Sequence, residues 1–157
     1  MKYLVICLAV ILAIPFINAE RFIVVDKKKC ELVVIDEGDT LFNAPVCLGK
    51  SKGQKKRKND NRTPEGDFEI SMIQNSTHWL FNPGDGRPLV PHAYGPWFFR
   101  LKCPMTFHIG IHGTSKPSSV GKRQSMGCIR LRNSDVVRLR DMVFTGMKVH
   151  ITSDSVN

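Results

Sequence analysis

The chain has 157 residues, 42% hydrophobic and 24% charged, and its 23 Lys and Arg against 14 Asp and Glu give a net charge of +9. A chain of this size holds one domain whose core needs neither metals nor many disulfides, and no composition break or repeat marks a second domain. The charge directs the protein to an anionic surface or polymer.

Met1 and Lys2 precede an apolar run from Tyr3 to Ile17, interrupted by Pro15, and Ala19 supplies the small residue after which a signal peptidase cuts. About fifteen apolar residues fall short of the roughly 20 needed to cross a bilayer as a helix. Residues 1–19 therefore read as a removed export signal and residues 20–157 as the working domain, destined for the periplasm, cell wall or exterior. Ile17 is larger than the preferred small residue two before the cut, so an uncleaved anchor is the alternative. Cys7 lacks the small residues of a lipoprotein signal before it. The remaining 138 residues carry 22 basic and 14 acidic side chains, a net charge of +8. In an envelope that means wall polymers or acidic headgroups rather than nucleic acid.

Three strands open the domain: Arg21 to Asp26, Glu31 to Asp36 and Leu41 to Leu48, joined by turns at Lys27-Lys28-Lys29 and Glu37-Gly38-Asp39 into a meander. From Lys50 to Arg62 come seven Lys or Arg, one Asp and no large apolar side chain, which predicts a mobile loop. It is read either as simply solvated or as an arm for an anionic wall polymer; no aromatics interleave the lysines for base stacking. Thr63-Pro64-Glu65-Gly66 fits a type I turn, and Asp67 to Ile73 a half-buried strand with residues 68, 70 and 72 inward. Gln74 to Pro96, rich in Asn, Pro and Gly, carries His78, Trp79, Phe81, His92 and Tyr94. That segment is either a lid or binding wall, or a loop pinned by its own aromatics.

Strand character returns at Trp97 to Leu101 and Met105 to His112. One segment predicts a helix: Asn133 or Ser134 as N-cap, Asp135 at the positive end, Val136, Leu139 and Met142 or Val143 on one face, and Gly146 closing it. Met147 to Thr152 forms a last strand. The fold class is mainly β, a sandwiched or barrel-like sheet with one clear helix near the C-terminus.

Chemistry concentrates late in the chain. His108-Ile109-Gly110-Ile111-His112-Gly113-Thr114 is followed, after a Gly- and Ser-containing loop, by Ser125-Met126-Gly127-Cys128-Ile129-Arg130-Leu131. A thiol in a tight turn and an imidazole sixteen positions earlier offer a nucleophile and its base. If Cys128 stays free, Cys30, Cys47 and Cys103 can form at most one disulfide within the chain; they read equally well as small apolar fillers. His108, His112 and Cys128 match no common zinc spacing, and no metal or cofactor is expected.

These motifs resemble the catalytic domain of the L,D-transpeptidases of the YkuD type. The likeness rests on Ile111 to Thr114, Ser125 to Leu131, the Asn133-Ser134-Asp135 opening, Gly146, the Thr63-Pro64-Glu65-Gly66-Asp67-Phe68 element and Cys47-Leu48-Gly49-Lys50, and spans about residues 21 to 152. Met126 stands where that family commonly has histidine, and the loop before Thr63 looks longer than usual. The resemblance implies a β-rich transpeptidase fold and a cysteine acyl-enzyme acting on peptidoglycan stem peptides. Cys128 is then the nucleophile and His112 the base, cross-linking third-position diamino acids. Water as acceptor would make it an L,D-carboxypeptidase, and a non-enzymatic wall-binding module is the rival class.

In this reading the N–H groups of Gly127 and Cys128 hold the oxyanion, and the Gly113 carbonyl orients His112. On the substrate side stand Arg130, as a carboxylate clamp or else an ion pair with Asp135 or Asp141, and His108, as a wall residue. Ser125 and Thr114 join them, chiefly by shaping the two turns through backbone hydrogen bonds. The expected state is a monomer.

Overall fold

The computed structural model describes residues 21–103 and 108–154, so the expected export signal and the start of the expected strand at Met105 lie outside the described residues. Strands β1 (Phe22–Asp26), β2 (Glu31–Asp36) and β3 (Asp39–Pro45) form the antiparallel meander. Their alternate side chains, Ile23, Val25, Leu32, Val34, Phe42 and Ala44, are all buried, the period-2 pattern of a sheet with one covered face. Glu37 and Gly38 link β2 to β3 with φ of 52° and 88°, the left-handed pair whose twist suits a two-residue hairpin.

The remaining elements are β4 (Leu48–Gly49), β5 (Gly66–Asn75), β6 (Leu80–Phe81), β7 (Val90–Pro91), β8 (Trp97–Leu101), β9 (Gly110–His112), β10 (Arg123–Ser125), β11 (Ile129–Arg130), α1 (Asn133–Arg140) and β12 (Lys148–Ile151). Eight strands make one curled mixed sheet in the order β11-β9-β8-β5-β12-β1-β2-β3. β6 pairs with β7, and β4 with β10. The domain is thus mainly β with one helix. The last strand, β12, lies in mid-sheet, parallel to β1 and antiparallel to β5. α1 presses Val136 and Leu139, both fully buried, into the same core as Phe99, Ile111 and Ile129.

Five local expectations are corrected. Along β5 the pairing with β8 shifts register between Ile70 and Met72, a bulge that turns Met72 outward to 50% exposure and lets Ile73 pack on the core instead. No turn forms at Thr63 to Gly66; the buried Thr63 side chain ties this extended segment to Gly49 and Gly127. The N-cap of α1 is Arg132 with no side-chain cap bond, because the Asn133 side chain is used elsewhere. The helix stops at Arg140, and the Gly146 N–H instead donates to the Ile70 carbonyl at 2.7 Å.

The fifth correction is the loop 50–62, which is folded rather than loose. Asp60, its one acidic residue, lies against the Lys55 ammonium at 2.7 Å and accepts from the N–H groups of Lys56, Arg57 and Arg62. Burial alone would raise the Asp60 pKa, but the ammonium and the N–H groups outweigh it and hold the carboxyl well below the usual range. The loop base is fixed by Lys27, fully buried, whose ammonium meets Glu65 at 2.7 Å, Asp154 at 3.0 Å and the carbonyls of Gly53 and Thr63. Satisfied on every side, this cation meets the condition for burying a charge.

Candidate active site

Three neighbouring strands supply the site. β8 and β9 pair Phe98 with His112 and Arg100 with Gly110, while β9 and β11 pair Ile111 with Ile129 and His112 with Arg130. Alternation puts Phe98, Arg100, Gly110, His112 and Arg130 on one face, with Cys128 continuing β11 by one position. Phe99, Ile111 and Ile129 point the other way and are fully buried. The first face floors a groove of about 840 Å³ into which Phe98, Arg100, His108, His112, Cys128 and Arg130 all project. The strands therefore bring the expected thiol and imidazole to one side of the sheet. Gly110 is the small member of the row because a Cβ there would lie 2.3 Å from the Phe98 ring.

The turn carrying Cys128 is braced from below. Ser125 Oγ donates to the Cys128 carbonyl at 2.6 Å and accepts from the Gly127 N–H at 3.0 Å. Thr63 Oγ1 accepts from the Gly49 N–H and donates to the Gly127 carbonyl, both at 2.9 Å. Beyond the turn, Cys47 exchanges two backbone hydrogen bonds with Arg130, so β11 is held on both edges. Two expectations change here. Ser125 is fully buried beneath the turn and does not line the groove. Gly127 directs its N–H at Ser125, so it is not the open oxyanion donor expected of it. Its lack of a side chain is required by φ of +133° and by the Arg62 carbonyl oxygen, 2.7 Å from where a Cβ would sit.

His112 is 2% exposed. Its Nδ1 lies 2.6 Å from the Gly113 carbonyl oxygen, the orienting partner expected of it. Since a carbonyl only accepts, Nδ1 carries the hydrogen and Nε2 the free lone pair of the neutral ring. Phe98 stacks on the imidazole at 5.2 Å and 13°, and Tyr94 meets it edge-on at 5.2 Å. Burial, and secondly the Arg130 guanidinium, push the His112 pKa down to about 3, against smaller opposing effects of the Gly113 and Tyr94 carbonyls. Burial likewise pushes the Cys128 thiol up, opposed by the Gly110 N–H and by Arg130. Both shifts favour the uncharged forms at rest, and the Cys128 thiol is directed at the His108 carbonyl oxygen, 3.5 Å away.

Around this floor, Trp79, Phe81, Tyr94 and Phe98 form a chain of tilted and edge-on ring contacts at 5.4 to 6.2 Å. The segment between β5 and β8 is thus pinned by its aromatics and serves as a groove wall as well. His108 stands in the wall with Nδ1 3.1 Å from Arg100 Nη1, and Thr114 lines the groove while its Oγ1 accepts from the Lys116 N–H. Arg130 joins no ion pair among the described residues; Asp135 turns to Arg138 instead. Neither carboxylate proposed for it from sequence holds it. Among the described residues no group of three or more His, Cys, Asp and Glu gathers, and Cys30, Cys47, Cys103 and Cys128 are all free thiols.

Several contributors gave no functional signal in the sequence. Asn133, expected as a helix cap, accepts from the Thr114 N–H at 2.8 Å and packs against Gly95 and Gly113, fixing the turn that orients His112. Lys50, Lys55, Lys58 and Asn59 of the folded loop also line the groove.

The model of the L,D-transpeptidase catalytic domain, YkuD, matches residues 20–151. The chain is 33% identical over 137 residues to the L,D-transpeptidase-type protein YqjB of Bacillus subtilis, covering 87% of this chain and 73% of that protein. It is 37% identical over 108 residues to YkuD of Bacillus licheniformis, covering 69% of this chain but only 51% of that one. Among solved structures, an L,D-transpeptidase from Mycobacterium smegmatis superposes with a TM-score of 0.64 at 21% identity, covering 86% of this chain and 59% of the other. The catalytic domain of the E. faecium enzyme gives 0.62 at 21% identity, with 85% and 97% covered. The chain thus spans about half to three-quarters of these longer relatives and nearly all of the isolated domain. It belongs to the YkuD family of L,D-transpeptidase catalytic domains.

Proposed function

We propose that this protein is an exported L,D-transpeptidase that acylates Cys128 with a peptidoglycan stem peptide and passes the acyl group to the amine of a neighbouring stem. The observation that carries this reading is the placement of Cys128 and His112 on the same face of two paired strands, open to one groove. Rigid strands and a buried, oriented imidazole suit positioned proton transfer.

The proton moves from Cys128 Sγ to His112 Nε2 as sulfur attacks the carbonyl of the third, L-configured residue. The Cys128 N–H takes the oxyanion, since the Gly127 N–H is held by Ser125; one such donor is worth about 3 kcal/mol. On collapse the C–N bond breaks, the proton passes from His112 to the departing D-alanine amine, and a thioester remains. The acceptor amine then attacks the thioester, gives its proton to His112, and the thiol is restored. A neutral resting pair makes thiolate only when a carbonyl is present, which limits reaction with stray electrophiles. Arg130, which joins no ion pair among the described residues, is the clamp for a substrate carboxylate.

The test is incubation with defined tetrapeptide muropeptides, followed by intact-protein mass spectrometry and product analysis. One solved relative is in complex with imipenem and another, from Mycobacterium tuberculosis, with a faropenem-derived adduct, so a carbapenem is a second acylating probe. The wild-type protein is expected to gain one acyl group and yield dimers joined through third residues. Tripeptide alone would mean water is the acceptor. Product formation by Cys128→Ala at the wild-type rate sinks the assignment.

A further inference from the structure

The groove's charge is one-sided. Lys50, Lys55, Lys58, Arg87, Arg100, Lys116 and Arg130 line it, and among the described residues no Asp or Glu does. Arg87 is matched by Asp85 and Lys55 by Asp60, each at 2.7 Å. The other five join no ion pair among the described residues; Arg100 hydrogen-bonds to His108 and Gln74. Two of the five come from the loop 50–62, which its own Asp60 folds and which lines the same groove as Cys128. Cations gathered in a cleft with apolar walls raise the local potential and favour anionic ligands well beyond what one pair contributes.

From this placement we infer that the groove selects stem peptides whose side-chain carboxylates are free over the same peptides with those carboxylates converted to amides. This rests on the reading above and names the chemical form of its substrate. The terminal D-alanine carboxylate is present in both forms, so the discrimination comes from the other carboxylates and from the wall 50–62 with Lys116. The excess basic charge that sequence alone ascribes to a solvated or polymer-binding loop is then part of substrate recognition.

The test is a calorimetric titration of the Cys128→Ala protein, which holds but does not turn over its ligand, with the carboxylate and the amidated tetrapeptide. At low salt the carboxylate form is expected to bind about tenfold tighter, narrowing to about twofold near 0.3 M salt, where the Debye length falls below about 8 Å. Adding Lys50→Gln, Lys58→Gln and Lys116→Gln together is expected to bring the ratio to about twofold at low salt, in keeping with exposed pairs of modest individual worth. Affinities within twofold at low salt overturn the inference, as does discrimination that survives both salt and the triple substitution. Equal peptide affinities with tight, salt-sensitive binding of a poly(glycerol phosphate) also overturn it, assigning these cations to a wall polymer. If the triple variant does not fold, the salt series alone decides. Turnover by the wild-type protein is read separately: charge preference in binding without any product removes the transpeptidase reading and leaves the selection standing.

Discussion

The ionisation of His112 can be tested through stability, because a buried imidazole that refuses a proton must make folding depend on pH. At 2% exposure and with a pKa near about 3, native His112 stays neutral where the unfolded residue, with a pKa of about 6.5, takes up a proton. The unfolded state therefore binds more protons between the two values. Stability is complete above about pH 6.5, falls as the pH drops below it, and levels off only near the native pKa. From about pH 7.5 to about pH 5 the span below the unfolded pKa is about 1.5 units, worth about 2 kcal/mol at about 1.4 kcal/mol per unit. Urea unfolding of the wild type and of His112→Gln at the two pH values isolates this contribution. The wild type should lose about 2 kcal/mol more than the variant on acidification. Equal losses, or an imidazole NMR titration of residue 112 with its midpoint near 6.5, would refute the neutral resting base. Acylation should likewise show no falling limb at the pKa of an ordinary histidine.

Three further outcomes follow from the bracing of the site. Asp60→Asn removes a carboxylate from the Lys55 ammonium and from three N–H groups, which should cost about 2 kcal/mol and expose the loop 50–62 to trypsin in timed digests. Thr63→Val strands the buried Gly49 N–H and Gly127 carbonyl; a loss of about 2 kcal/mol or more is expected, with slower acylation, by thermal melting and mass spectrometry. Gly127→Ala pushes a methyl against the Arg62 carbonyl at a backbone angle that L-residues avoid, costing about 1 to 3 kcal/mol; the folded variant should form little acyl-enzyme, and unimpaired acylation would contradict the tight packing of this turn.

The meander was readable because each strand's alternation reflects only its own two faces, as with Ile23 and Val25 or Leu32 and Val34. The thiol and imidazole of the candidate site were readable for a related reason: Cys128 belongs to a short turn braced by Ser125, and His112 ends β9 next to Gly113, whose carbonyl orients it. What escaped depends on distant partners. Lys27 looks like part of a polar turn until Glu65 and Asp154 enclose it. Asp60 gives no sign in a run of cations that it will fold them, and Asn133 is indistinguishable from a cap until Thr114 arrives. The inward phase of β5 failed at a bulge, since only pairing with β8 decides where the extra residue is accommodated.

The insertion of β12 between β1 and β5 has a kinetic consequence. Residues 22–26 and 66–75 cannot be joined in the sheet until residues 148–151, far later in the chain than either, come between them. Such a topology requires closure of very long loops before its contacts reward it, placing the chain among slow folders of high contact order. Until that closing step the two half-sheets present open edges to any neighbour, the period when a helper that shields strand edges has most to protect.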